Sequence, residues 1–212
     1  MRMIRNSHLI FLLLFAFFSY SQENDFQTWN SVKLNTKIYK RTDISLKNGV
    51  RFKENSTILD KIFLDIKGTH RVKKTDISFS LGYRISKEFN TASSLFQSRY
   101  YLDASNKYKY ERWRFLLRER LQYQGNNYGY TFLHRQKLRA SYNVRKTPFE
   151  PFVALESFMD IFYLQKIRYT LGFSHSFLDE IDIDIFYRLQ QEVNTNKPES
   201  LYIVGVSLGY KL

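Results

Sequence analysis

Basic side chains recur at every second position along much of this chain. Arg112, Arg114, Arg118 and Arg120 share one parity of a single stretch. Arg84, Arg99, Arg135, Arg139, Arg168 and Arg188 hold the matching parity of other stretches, with Lys137 and Lys166 beside them. Carboxylates fall on the same parity at Asp65, Asp76, Asp103, Glu156, Asp160, Asp182 and Asp184. Two chemistries suit such a set. Rings of one charge sign around a cavity or pore select ions of the opposite sign, so these residues could bind or pass anionic or small polar solutes. Alternatively they pair with one another and fill an interior, as small barrels do. Twelve basic positions against seven acidic ones leave an excess that pairing alone does not neutralise.

Other chemistry finds little support. The chain has no cysteine, which excludes disulfides, thiolate zinc sites and a thiol nucleophile. Of four histidines, His8 precedes the expected mature chain, His70 falls in an expected turn, and His134 and His175 sit on the apolar parity near strand ends. No paired-histidine metal motif, EF-hand loop or Gly-x-Ser-x-Gly elbow occurs. Outer-membrane phospholipases and lipid A deacylases carry His-x-Ser on a strand, whereas His134 is followed by Arg135 and Gln136, and His175 by Ser176 and Phe177. Glu156 with Asp160 could form a carboxylate pair on one strand face, although an ion-pair role suits them better. No cofactor is implied, and the expectation is a protein that is not an enzyme. A lipid-processing barrel enzyme remains an alternative.

The elements that must position these residues begin after a leader. Arg2 and Arg5 precede the apolar run Leu9 to Phe18, and small residues follow at Ser19 and Ser21, the layout of a cleaved secretory signal peptide. Cleavage after Ser21 gives a signal peptide at 1–21, a single domain at 22–212, and a net charge falling from +13 to +11 with the loss of two arginines. Export makes nucleic acid an unsuitable partner despite the basic balance, and no nucleic-acid motif is present. Aromatic content of 17% argues against disorder.

After residue 22 no apolar stretch reaches the roughly 20 residues a spanning helix requires. Instead the chain alternates. Ile181, Ile183, Ile185, Tyr187 and Leu189 face one way while Asp182, Asp184 and Arg188 face the other. Trp113, Phe115, Leu117, Leu121 and Tyr123 oppose the arginines of their stretch in the same manner. Such alternation specifies strands. Eleven runs show it: about 28–40, 43–53, 57–67, 74–86, 96–105, 109–124, 131–145, 151–162, 165–177, 181–192 and 200–212. They are longer than the five or six residues usual in soluble strands and match the nine to eleven that cross a bilayer at a tilt.

The expected fold is therefore all-β: a transmembrane, antiparallel, up-and-down barrel of 10–12 strands. Short connections are expected at Lys40–Asp43, Ser105–Lys107, Lys146–Glu150 and Asp179–Glu180. Longer ones are expected at Lys87–Ser94, Gly125–Tyr130 and Asn194–Ser200, the asymmetry of an outer-membrane barrel. Because single-chain barrels usually have an even strand count, either a short strand at Glu23–Trp29 makes twelve, the first run leaves the wall to make ten, or the N-terminal segment rises through the lumen. Twelve is favoured. The apolar parity would face outer-membrane lipid, with Trp29, Tyr39, Tyr123, Tyr142, Tyr163, Tyr202 and Tyr210 as interfacial girdles. A soluble exported β-sandwich binding anionic glycans is the other alternative, though it would expose long apolar faces to water.

Several segments resemble one known family. They are Thr28-Trp29 followed by Val32, Leu34 and Ile38; Val50-Arg51-Phe52; Leu81-Gly82-Tyr83-Arg84; Lys137-Leu138-Arg139; Pro151-Phe152-Val153; Lys166 to Gly172; and Phe186-Tyr187-Arg188 with Tyr202-Ile203-Val204-Gly205. In this order they are similar to the outer-membrane barrels of Bacteroidota catalogued as domain of unknown function 2490 (DUF2490). The resemblance implies an outer-membrane barrel and carries no catalytic residues with it. Oligomeric state is not specified by any of these features.

Overall fold

The computed structural model describes residues 24–90, 94–160, 163–177, 180–196 and 198–212, so the expected signal peptide at 1–21 lies outside the described residues. Eleven strands form the molecule: β1 (Asn24–Tyr39), β2 (Thr42–Lys53), β3 (Ile58–Arg71), β4 (Ile77–Phe89), β5 (Ser94–Tyr110), β6 (Trp113–Asn126), β7 (Gly129–Tyr142), β8 (Phe149–Met159), β9 (Leu164–Phe177), β10 (Ile181–Glu192) and β11 (Ser200–Lys211). Each corresponds to one of the alternating runs. They close into a barrel in which every strand pairs with its chain neighbours and β1 pairs with β11.

The closing pair corrects the expectation of twelve strands or ten. β1 and β11 run parallel, from Asn24 opposite Ser200 to Asn35 opposite Lys211, while the other ten pairs are antiparallel. One parallel ladder is what an odd meander needs to close, because its first and last strands point the same way. No separate strand exists at Glu23–Trp29: its described part belongs to β1, which is in the wall and not in the lumen.

The expected asymmetry of connections is also absent. At the lower rim, where β1 and β11 end, the connections are 40–41, 72–76, 111–112, 143–148 and 178–180. At the upper rim they are 54–57, 90–93, 127–128, 160–163 and 193–199. The strands absorb residues expected in loops. Ser105–Lys107 lies inside β5, whose turn is at 111–112, and most of Gly125–Tyr130 pairs between β6 and β7. His70 is likewise on β3 and not in a turn.

Period two sorts the wall into two surfaces. The outer surface carries an aliphatic band that includes Leu64, Leu81, Leu102, Leu138, Leu155 and Leu171, all at least 44% exposed. Aromatic clusters flank it. Toward the lower rim Trp113 contacts Phe115 and Tyr142, and Phe149 meets His175 edge-on at 4.8 Å. Toward the upper rim Tyr123 stacks with Tyr130 and meets Phe132 at a tilt. Trp29 departs from its expected place in these girdles: it points inward and is buried.

Inside, large rings lie on glycines of the neighbouring strands. Gly49 faces Phe63, Gly82 faces Tyr101, Gly172 lies between Phe152 and Phe186, and Gly205 lies between Phe186 and Trp29. A Cβ at Gly82 would fall within the Tyr101 ring, and one at Gly49 within the Phe63 ring. The missing side chain lets each ring lie flat against the backbone. Gly82→Ala should therefore lower stability in urea unfolding by about 1–3 kcal/mol through overpacking. Gly68→Ala is the control, since a Cβ there meets nothing within 4 Å, and it should not lower the unfolding midpoint. Equal effects at the two sites would show that the ring contact is unimportant.

Candidate functional site: the basic interior

Strand register brings the charged residues together. Asp65 on β3 lies opposite Arg84 on β4, Asp103 on β5 opposite Arg120 on β6, and Glu156 on β8 between Lys137 on β7 and Arg168 on β9. Arg84 Nε donates to Asp65 at 2.7 Å, and the Tyr101 hydroxyl donates to the other oxygen at 2.7 Å. Arg120 grips Asp103 with Nε and Nη2 at 2.6 and 2.8 Å. This two-bond fork is the strongest form of charge-assisted hydrogen bond.

Glu156 is the hub. Arg118 and Arg135 each donate to its Oε1 at 2.7 Å, and Arg168 donates to Oε2 at 3.1 Å. Three guanidinium groups thus share one buried carboxylate, whose side chain is 6% exposed. Gln122 and Gln190 take part of the remaining load by accepting from Arg135 and Arg168. Arg139 bonds Ser174, which in turn donates to Asp184.

Aromatic rings support the interior arginines from below, and all but Phe158 of these rings lie on glycines. Arg51 lies 3.8 Å over Trp29, Arg84 4.1 Å over Phe63, Arg120 3.7 Å over Tyr101, Arg135 4.3 Å over Phe158, Arg139 3.7 Å over Phe152 and Arg188 3.7 Å over Phe186. Each stack contributes about 0.5–2 kcal/mol where water is excluded. Sequence reading missed these rings because it assigned aromatics to the outer face. The detectable sign was a single bulky ring on the polar parity, such as Phe63 beside Asp65 or Phe186 between Asp184 and Arg188.

Other anticipated positions lie toward the rims. Arg114 pairs with Glu150, and Asp182 accepts from Ser176 and pairs with Lys211, all at the lower rim. Arg99 bonds Gln124, and Lys166 pairs with Glu192, nearer the upper rim. Three positions lie outside the strands, Asp76 among them lining the opening at the lower rim. Arg112 is in the turn after β5, Asp76 is exposed in the connection before β4, and Asp160 follows the end of β8, where Gln165 donates to it at 3.4 Å. In each case the strand ends before the alternation does. His134 and His175 face outward as the alternation suggests, His134 bonded to Glu119 at 2.7 Å.

The alternation extends across nearly the whole chain, and a family model describes it. The match is to a protein of unknown function (DUF2490) over residues 26–200. The chain belongs to the DUF2490 family. No curated protein matches it.

Two connected spaces remain inside the DUF2490 barrel. The central one holds about 300 Å³ and the other, at the lower rim, about 590 Å³; Lys33, Ser45 and Lys67 line both. Around the central cavity stand twelve Lys or Arg side chains and three Asp or Glu. Six of the twelve, Lys33, Lys47, Arg51, Lys67, Lys137 and Arg188, have no carboxylate within 4.0 Å among the described residues. Lys33 and Lys47 are direct cross-strand neighbours, an arrangement that like charges disfavour. The ion-paired interior and the unpaired cavity thus coexist, with the arginines mostly paired and the lysines not. Toward the upper rim the interior is packed: Gln27, Trp29, Gln122, Leu133, Phe158, Gln190 and Ile203 are all buried.

Removing the hub carboxylate would leave three facing guanidinium groups. Glu156→Gln should cost about 3–5 kcal/mol, the usual result of breaking a buried ion pair from one side. Adding Arg135→Met should restore part of that loss. Urea unfolding of the single and double variants checks this, and a single variant as stable as the parent would remove Glu156 from its central role.

Proposed function

We propose that the chain is an integral outer-membrane barrel whose interior is a blind, electropositive pocket that captures anionic solutes from the lower-rim side. The pocket is a binding site and not a catalytic one. The observation that carries this reading is the convergence on one cavity of six basic side chains that have no carboxylate within 4.0 Å among the described residues. Folding alone does not favour that arrangement, because desolvated like charges repel and each loses hydration. A bound anion would supply the missing negative charge.

Two features support the membrane setting. The outer surface is an aliphatic band between aromatic belts, the pattern of a bilayer-spanning barrel. Strands of 11 to 17 residues exceed the length needed to cross at a tilt. The buried side chains toward the upper rim favour capture over free passage, so the narrow-channel form of the reading gives way to a pocket.

The barrel is expected in the membrane fraction, migrating faster on gels before heating than after. Isothermal titration in detergent should detect binding of inorganic pyrophosphate but not of glucose, weakening as salt rises. Lys47→Glu and Lys67→Glu should each reduce pyrophosphate affinity at least tenfold, about 1.4 kcal/mol. Planar bilayers containing the folded protein should show no steady current. A soluble, heat-indifferent protein would overturn the membrane reading, and a steady anion-selective conductance would overturn the blind pocket.

A further inference from the structure

The aliphatic band of the outer wall is interrupted by the single Asn48, between Val32 and Leu64, and by a longer polar row that contains a carboxylate. The outward residues of β6 run Trp113, Phe115, Leu117, Glu119, Leu121, Tyr123, which sets a carboxylate midway between the aromatic belts. On β7 they run Phe132, His134, Gln136, Leu138. Register aligns Glu119 with Gln136, and Gln136 with Ser157 on β8, in one polar row. His134 Nε2 lies 2.7 Å from Glu119 Oε2, and the two side chains are still 35% and 37% exposed.

In water such a pair would need no explanation. This inference rests on the reading of the outer wall as lipid-facing, and there the row is costly. Ionisable groups at bilayer mid-depth are disfavoured and characteristically face protein or water instead of lipid. The Glu119 carboxylate can accept several hydrogen bonds beyond the one from His134. Gln136 makes no side-chain hydrogen bond among the described residues. Beside the row the wall is recessed into an apolar groove of about 610 Å³, where Gly68 and Ala104 lie among Leu81, Leu102 and Leu121, with Glu119 on its border.

We propose that this row is the contact between two copies of the chain in the membrane. The patch is self-complementary: it holds an acceptor in Glu119 and donors in Gln136 and Ser157, with His134 able to bond on either side. A two-fold axis passing near Gln136 sets each acceptor against the other copy's donors.

The chain has no native cysteine, so single-cysteine variants report contacts directly. Under oxidation in intact outer membranes, Gln136→Cys should give a homodimer, while Val32→Cys, exposed on the far side of the barrel, should not. In liposomes at fixed protein-to-lipid ratio, single-molecule photobleaching should show two-step traces for the parent. Glu119→Leu with Gln136→Leu should cut the two-step fraction at least fivefold while heat-modifiable migration is retained. Single-step traces for the parent, equal cross-linking at the two cysteines, or attachment of Gln136→Cys to a different protein would each overturn the proposal. A chain missing from the membrane fraction removes the lipid-facing reading and this one together, whereas a membrane-inserted monomer removes only this one.

Discussion

A guanidinium withdrawn from water must recover several kcal/mol of lost hydration from its surroundings. In this barrel the recovery is layered. A glycine leaves the inner wall flat, a ring lies on the glycine, an arginine lies on the ring, and a carboxylate takes the arginine's hydrogens. Gly82, Tyr101, Arg120 and Asp103 form one complete stack of this kind. Gly49, Phe63, Arg84 and Asp65 form a second. The two are joined, because the Tyr101 hydroxyl also donates to Asp65. Removing any layer leaves the next without support, so the position of each of these two arginines depends on a glycine two strands away.

This layering depends on register, and register depends on closure. A slip of one residue between two strands would turn every inward side chain outward, exchanging the arginines for leucines around the barrel. Closing an odd meander requires one parallel pair, here β1 with β11. The seam is held from within by apolar packing instead of ion pairs: Trp29, Phe152, Phe186 and Ile203 cluster there, with Leu201 against them. Ile203 is fully buried. The apolar patch sits where the weaker ladder is, since parallel pairing is slightly less stable per residue.

The strands were legible in the sequence because period two survives in a single chain without knowledge of partners. All eleven runs became strands. The stacks were not legible, because Gly82 and Tyr101 are nineteen positions apart and only the β4–β5 register makes them neighbours. Trp29 shows the limit most directly. Its place near a strand end suggests a girdle, yet its parity matches Gln27 and Ser31, whose side chains face inward, and its indole donates to Gln27. Parity was the better guide than residue type. The ends of strands were the least certain feature, so Arg112, Asp76 and Asp160 shared the alternation without belonging to a strand. Closure by a parallel pair left no local trace at all, since nothing in β1 or β11 alone states which edge it meets.

The division of labour between arginine and lysine follows from their shapes. Arginine's planar fork can lie on a ring and donate sideways to a carboxylate at the same time, so it suits a layered wall. Lysine offers a compact charge on a flexible stem and cannot form such a stack equally well. Accordingly, Arg84, Arg118, Arg120, Arg135 and Arg168 are fixed by carboxylates, whereas Lys47 lines the central cavity and Lys33 and Lys67 line both it and the lower-rim space. If neutral packing were the only requirement, these lysines would be the first charges to discard, since none completes a stack. Their place on one side of the interior separates a fixed ionic framework from a basic surface without carboxylate partners, and it is the second that the proposed anion site would use.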